Sequence, residues 1–231
     1  SYGYRNYALS HYKKIGEKFG YAISGDYRNS DGYFTNLFTD KKADDMKSGS
    51  ARIRLEWKPQ KNLSFGLMSS FDRSVQGGYP YAYVGEEIVH DGQTVIRPGE
   101  IRYNDPCSYR RTTLSDGLTV RYDAGSFSVA SITSYQYSIN SRTAFQYLSD
   151  HQGIDQDFSP RSIYFARQDM KQKMFSEELN IKSTTPGRYK WLFGAFGFWQ
   201  GIDNTVTLDY FTKDYATLKL YDTPAYGVAF Y

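Results

Sequence analysis

Ser50-Ala51-Arg52-Ile53-Arg54-Leu55-Glu56-Trp57-Lys58, followed by the turn Pro59-Gln60-Lys61-Asn62 and then Leu63-Ser64-Phe65-Gly66-Leu67, decides the architecture. Ala51, Ile53, Leu55 and Trp57 fall in one phase, and Arg52, Arg54, Glu56 and Lys58 in the other. This is strict period-2 alternation, the signature of a strand whose successive side chains point to opposite faces. A slip of one residue would move every charge into the apolar phase, so the register is strongly specified. After the turn the pattern returns in Leu63, Phe65, Leu67 and Phe71, set against Ser64, Gly66, Met68, Ser70 and Asp72. The pair predicts an antiparallel hairpin with one apolar and one polar face.

The same unit recurs along the chain. Tight polar turns stand at Gly16-Glu17-Lys18, Ala124-Gly125-Ser126 and Thr184-Thr185-Pro186-Gly187-Arg188, each between alternating stretches. Between hairpins the chain makes long polar excursions, expected over 30–47, 76–108, 142–166 and 203–223. Leu118, Val120 and Tyr122 alternate with Thr119, Arg121 and Asp123, and Phe175, Leu179 and Ile181 repeat the pattern, with Glu177 breaking the apolar phase. The orientation of 189–200 is not readable, because both phases are apolar. A last strand is expected from about Thr223 to Tyr231. Short turns at one end and long loops at the other describe an up-and-down antiparallel sheet of about nine strands. Such strands exceed the roughly 5–6 residues usual in globular sheets and meet the 9–11 that a tilted membrane strand needs. The expectation is therefore all-β: an up-and-down antiparallel transmembrane β-barrel, seen in part.

Composition agrees with that class. Hydrophobic residues are 40% of the chain and the mean hydropathy is -0.63, which excludes a bundle of membrane helices. A barrel escapes that test because only alternate residues face lipid. Aromatic residues reach 18%, with 23 Tyr and 15 Phe, and tyrosine suits a membrane interface because its ring sits in the apolar zone while its hydroxyl stays wet. The net charge of +3 comes with no basic cluster, so nucleic acid is not expected as a partner. The single cysteine, Cys107, excludes a disulfide framework and reads as incidental. The chain opens on Ser1-Tyr2-Gly3-Tyr4 with no signal peptide, and is read as a mature chain or an internal piece of a longer one.

Met174-Phe175-Ser176-Glu177-Glu178-Leu179-Asn180-Ile181-Lys182-Ser183, the turn at Pro186-Gly187, and Tyr189-Lys190-Trp191-Leu192-Phe193-Gly194-Ala195-Phe196 resemble a hairpin of TonB-dependent outer-membrane receptors. That family often shows a Ser-x-Glu-Leu strand, a small polar turn and a Trp-hydrophobic-x-Gly strand. Lys42-Ala43-Asp44, 48–57 and 69–80 are similar to receptors of this kind from gut Bacteroidetes. The resemblance implies a 22-stranded barrel plugged by an N-terminal domain. Residues 1–231 would then be a partial barrel domain from its middle, with short periplasmic turns and long extracellular loops, and without the plug. It also implies import of a scarce solute, such as an iron–siderophore, haem or cobalamin complex, across the outer membrane of a Gram-negative bacterium. The implied partners are outer-membrane lipid, a small-molecule ligand, and the TonB complex acting through the plug.

No catalytic constellation is present, and the chain is not expected to be an enzyme or to carry a cofactor. His11, His90 and His151 are isolated from one another and from any Cys, so no metal site is expected. Glu177 and Glu178 are adjacent, so in a strand they point to opposite faces and cannot act as a paired acid and base. Asp155-Gln156-Asp157 lacks the glycine and distal glutamate of a calcium loop, and Gly-x-Ser-x-Gly is absent. The binding candidates are Tyr79, Tyr81 and Tyr83 on a Gly/Pro frame, whose rings can stack on a planar chelate or sugar or instead form the outer aromatic girdle. Arg110 and Arg111 after this loop are candidates for an anionic ligand, or for pairing with lumen carboxylates or lipid phosphates.

Three alternatives stay open at this level. The chain could be a small closed barrel of structural or adhesive role, a glycan-importing receptor of the same superfamily, or a soluble β-sandwich that binds carbohydrate. The sandwich requires a second sheet over Ile53, Leu55, Trp57, Leu63, Phe65 and Leu67.

Overall fold

The computed structural model describes residues 2–77, 85–90, 92–102, 107–146, 164–186, 188–210, 215–222 and 224–231. Along the chain the strands are β1 (Arg5–Ile15), β2 (Phe19–Ser30), β3 (Thr35–Asn36), β4 (Lys41–Lys42), β5 (Met46–Gln60), β6 (Leu63–Gln76) and β7 (Ile88–His90). They continue as β8 (Gln93–Ile96), β9 (Ser108–Asp123), β10 (Phe127–Gln146), β11 (Tyr164–Ser183), β12 (Leu192–Tyr210), β13 (Tyr215–Asp222) and β14 (Ala225–Phe230). One ten-stranded antiparallel sheet runs in the order β1-β2-β5-β6-β9-β10-β11-β12-β13, and β14 also pairs with β12. β3–β4 and β7–β8 form two-stranded hairpins inside the first two loops.

β13 covers Asp203–Asp209 of β12 and β14 covers Ala195–Gln200, so together they occupy one strand position. The break falls at Pro224, which has no N–H to give the ladder. Nine strand positions result. The sheet does not close on itself: β1 pairs only with β2, and β13 and β14 pair only with β12.

Register carries the alternation across the whole sheet. One rung reads Tyr21–Leu55–Leu67–Leu118–Thr133–Glu177, and the next, toward the short turns, reads Phe19–Trp57–Phe65–Val120–Ser131–Leu179. The apolar side chains of six strands thus gather on one face. The opposite face carries Ser24, Arg54, Gly66, Thr119, Ser134 and Ser176, among others, and is polar.

Neither face is covered by a second layer among the described residues. Leu67 is 39% exposed and Leu118 40%, and the only hydrophobic residues counted as buried are Ala43 and Ile101, both in loops. A compact soluble protein of 26.6 kDa exposes about 10,700 Å², whereas this chain exposes 15723 Å². The hydrophobic surface that would stabilise a soluble domain is turned outward. Among the described residues no second sheet lies over Ile53, Leu55 and Trp57, the cover that a β-sandwich requires.

β2 ends at Ser30, β6 at Gln76, and β9 begins at Ser108, as the alternation indicated. The third and fourth excursions are shorter than expected, because β10 runs to Gln146, β11 starts at Tyr164, and 203–210 and 215–222 are strand. Backbone pairing continues there, as in Arg167↔Thr207 and Gln168↔Val206, and Gln168 Nε2 donates to Asn204 Oδ1 at 3.0 Å across the two strands. Val206 and Leu208 alternate with Thr205, Thr207 and Asp209, a pattern that the polar composition of the segment hides. The orientation of β12 is set by neighbours: Phe193 and Trp199 join the apolar face, while Gly194 faces Tyr231. A Cβ at Gly194 would lie 2.1 Å from the Tyr231 ring, so a larger residue there would displace that exposed side chain.

Glu177 does not leave the apolar face. It sits among apolar neighbours with its carboxylate accepting hydrogen bonds from the Ser131 hydroxyl at 2.6 Å and from the Thr133 hydroxyl. Asp116 is held in the same way by Ser69 at 2.5 Å. Each acid that breaks the pattern is matched by a hydroxyl on the adjoining strand, which satisfies the polar group locally.

Candidate ligand-capture surface

The first two long loops pack on one another at the end of the sheet away from the short turns. In the first, Asp44 folds back so that its carboxylate accepts the backbone N–H of Tyr33 at 2.9 Å and of Phe34 at 2.9 Å. Ala43 N–H reaches Phe34 O at 3.0 Å, closing the β3–β4 hairpin. The second loop docks through Leu37 N–H to Ile101 O at 2.9 Å, and Gly77 N–H donates to Asp45 O at 2.9 Å. Ala43 and Ile101 form the buried centre, with Cys107 packed against them. Cys107 is therefore part of the loop core and not incidental.

This small core leaves aromatic side chains outside. Tyr33, Phe34 and Phe38 are exposed, and Tyr2 lies against Tyr33 with ring centroids 4.3 Å apart. Such rings offer faces for a planar or apolar ligand. The sequence reading passed over this group in favour of the second loop. The cue available was Tyr33-Phe34-x-x-Leu37-Phe38 inside a polar excursion, where alternation offers no reason for aromatics. Substituting Asp44 by alanine should release the hairpin. The lost charge-assisted bonds lower its local stability by about 1–2 kcal/mol, raising amide exchange at Tyr33 and Phe34 roughly 5- to 30-fold. Hydrogen exchange read by mass spectrometry checks this, and unchanged protection would contradict the clamp.

Tyr79, Tyr81 and Tyr83 lie outside the described residues, as do His151 and Asp155-Gln156-Asp157. Arg110 and Arg111 both sit in β9 with exposed side chains, on opposite faces of the sheet. Arg110 is in register with Val75 and Ser141 on the apolar side; Arg111 is in register with Ser74 and Asn140 on the polar side. Alternation therefore separates the two guanidinium groups, and they do not form a single anion site. Beside Arg111, the buried Oδ1 of Asn140 has no hydrogen-bond partner. Among the described residues no group of three or more His, Cys, Asp or Glu is placed to hold a metal ion. His11 lies in β1 with its ring 5.6 Å from that of Tyr21.

The polar face carries a groove of about 510 Å³ lined by Arg54, Glu56, Lys58, Ser64, Arg121 and Ser134, among others. Arg54 and Glu56 pair at 2.8 Å, and both stay open to solvent. Among the described residues this groove is charged and open to solvent.

No protein-family model matches the chain. Among solved structures it is similar to the ferric yersiniabactin uptake receptor FyuA from Yersinia pestis, with a TM-score of 0.69 over 93% of this chain and 15% sequence identity. The chain spans 32% of that receptor's length. The shared feature is the fold, so the chain is an all-β, up-and-down antiparallel sheet built like part of a β-barrel.

Proposed function

We propose that this chain is a barrel segment of a TonB-dependent outer-membrane receptor that imports a scarce solute. The observation that carries the reading is the continuous, uncovered apolar face of a sheet whose other face is polar. Its height fits a membrane. From Phe19 to Tyr27 on that face is eight residue steps, about 26 Å along the strand at roughly 3.3 Å per residue. At the tilt of about 40° usual in such barrels this spans about 20 Å, close to the roughly 25 Å apolar band.

Lipid covers the apolar face, the charged face lines the lumen, and the paired loops bearing Tyr33, Phe34 and Phe38 meet the solute first. Arg111 and Asn140 stand just below them on the lumen side. The solute class is an iron–siderophore, haem or cobalamin complex, in keeping with the siderophore named for the similar receptor. Residues 1–231 supply part of the wall, and a plug elsewhere in the protein couples to TonB. Transport is non-covalent: capture by loops, then release through the lumen when the plug moves.

Uptake assays in a strain deleted for the gene test this. Accumulation of labelled ferric siderophores, haemin and cobalamin is compared with the complemented strain and with a strain lacking TonB. Loss of one solute in both mutants is expected. Unchanged accumulation of all three would overturn the reading.

A further inference from the structure

We infer that the rim formed by the short turns binds the anionic headgroups of phospholipids, an inference that rests on the membrane reading above. Lys13, Lys18, Lys61, Arg188 and Lys190 lie in or beside these turns, and all are exposed. Only Glu17 and Asp123 oppose them there, and Asp123 is taken up in its own turn, accepting the Gly125 N–H at 2.8 Å. Lys14 and Lys58 flank the same turns, and with them these groups carry a net +5, above the +3 of the whole chain. The excess positive charge thus sits at this end. Among the described residues Lys13, Lys18, Lys61 and Arg188 take part in no ion pair. Lys190 donates to the carbonyl of Thr185, which leaves its charge unpaired.

What lies just inside this rim identifies the partner. Trp57 stacks on Phe65 with centroids 5.3 Å apart, and Trp191 lies 5.5 Å from Phe193. Tyr189, Trp191 and Phe193 are all exposed. Tryptophan and tyrosine belong at the level of lipid headgroups. Lysine and arginine stems placed one step beyond them snorkel their charges into the phosphate layer. The cations are also spread out. The β1–β2 and β11–β12 turns are six strand spacings apart in the sheet order, about 29 Å at roughly 4.8 Å per strand. Lys18 and Arg188 therefore cannot converge on one phosphate. They fit a row of separate headgroups instead, which favours a lipid surface over a free phosphate ion. At an anionic surface each cation contributes about fivefold in affinity.

The test uses the intact protein purified in detergent and delipidated. It is then offered equal amounts of phosphatidylglycerol and phosphatidylethanolamine, and retained lipids are counted by native mass spectrometry. The wild type should prefer phosphatidylglycerol about fivefold or more at each site. The variant K18Q/K61Q/R188Q should lose that preference, K18R/K61R/R188K should keep it, and K41Q/K42Q in a long loop should leave it unchanged. Equal retention of both lipids by the wild type, or an unaltered preference in the glutamine variant, would overturn the inference while leaving the membrane reading intact. Full displacement of phosphatidylglycerol by millimolar inorganic phosphate would overturn it too, assigning the site to a free ion. A protein that stays monodisperse without detergent and retains no lipid would remove both readings.

Discussion

Arginine in place of Leu118 is expected to destabilise the membrane-embedded protein by about 2–4 kcal/mol, while arginine in place of Thr119 costs less than about 1 kcal/mol. The two positions are adjacent in β9 and share every local property of the strand. They differ in the face they occupy. Leu118 stands on the apolar face between Leu67 and Thr133, midway along β9 between Tyr122 and Leu114 on that face. Thr119 stands on the polar face between Gly66 and Ile132, on the groove that Arg121 and Arg54 already line. A guanidinium at 118 would have to stay in hydrocarbon or drag water to it, whereas one at 119 enters a hydrated lumen. Refolding into lipid vesicles across a urea series, read by heat-modifiable gel migration, measures both costs. Equal costs at the two positions would mean that lipid does not cover the apolar face. So would a Leu118→Arg protein that stays soluble without detergent.

A second large effect is expected at Gly77, where the loops meet. A Cβ there would stand 2.4 Å from the backbone O of Ala43 and 2.8 Å from Asp45 Oδ1. The Asp45 side chain can swing aside, but the Ala43 carbonyl belongs to the hairpin that Asp44 holds closed. Gly77→Ala must therefore push the loops apart. Overpacking of this kind costs about 1–3 kcal/mol. The Leu37 N–H bond to Ile101 O and the Gly77 N–H bond to Asp45 O should both weaken. Exchange at the Leu37 amide should rise by about tenfold or more, and solute affinity should fall by a similar factor as the aromatic surface loses its shape. Barrel assembly should be unaffected, since the sheet registers lie below the contact. Leu37 protection equal to wild type would show that the two loops are not coupled through Gly77.

Much of this architecture was legible because one rule governs it. Wherever one face must be apolar and the other wet, the chain has to alternate, and it does so in 50–58, 63–72 and 118–123. The turns Gly16-Glu17-Lys18 and Ala124-Gly125-Ser126 fall where the ladders end, at Ile15 and Asp123. Legibility failed where polar composition hid the alternation. In 203–210 and 215–222, Val206, Leu208, Leu218 and Leu220 alternate with polar residues inside a segment that reads as loop, and the backbone ladder continues through it. The candidate site failed for a related reason. Arg110 and Arg111 look like a pair in sequence, yet the alternation that reveals strands also puts neighbours on opposite faces. The placement of Tyr33 and Phe34 depends on Asp44, ten residues or more along the chain, and that of their loop on Ile101 in another loop.

The sequence by itself determined the strand class, the two faces, the position of the short turns and the first two long loops, because these follow from side-chain periodicity and turn chemistry within a few residues. Tertiary structure alone decided the rest. It fixed which hydroxyl meets Glu177 and Asp116, which way β12 faces, how β13 and β14 share one strand position, and how two loops make one surface. Those outcomes rest on contacts between residues distant in the chain. No local pattern encodes them, since each is settled by what the register of neighbouring strands brings opposite.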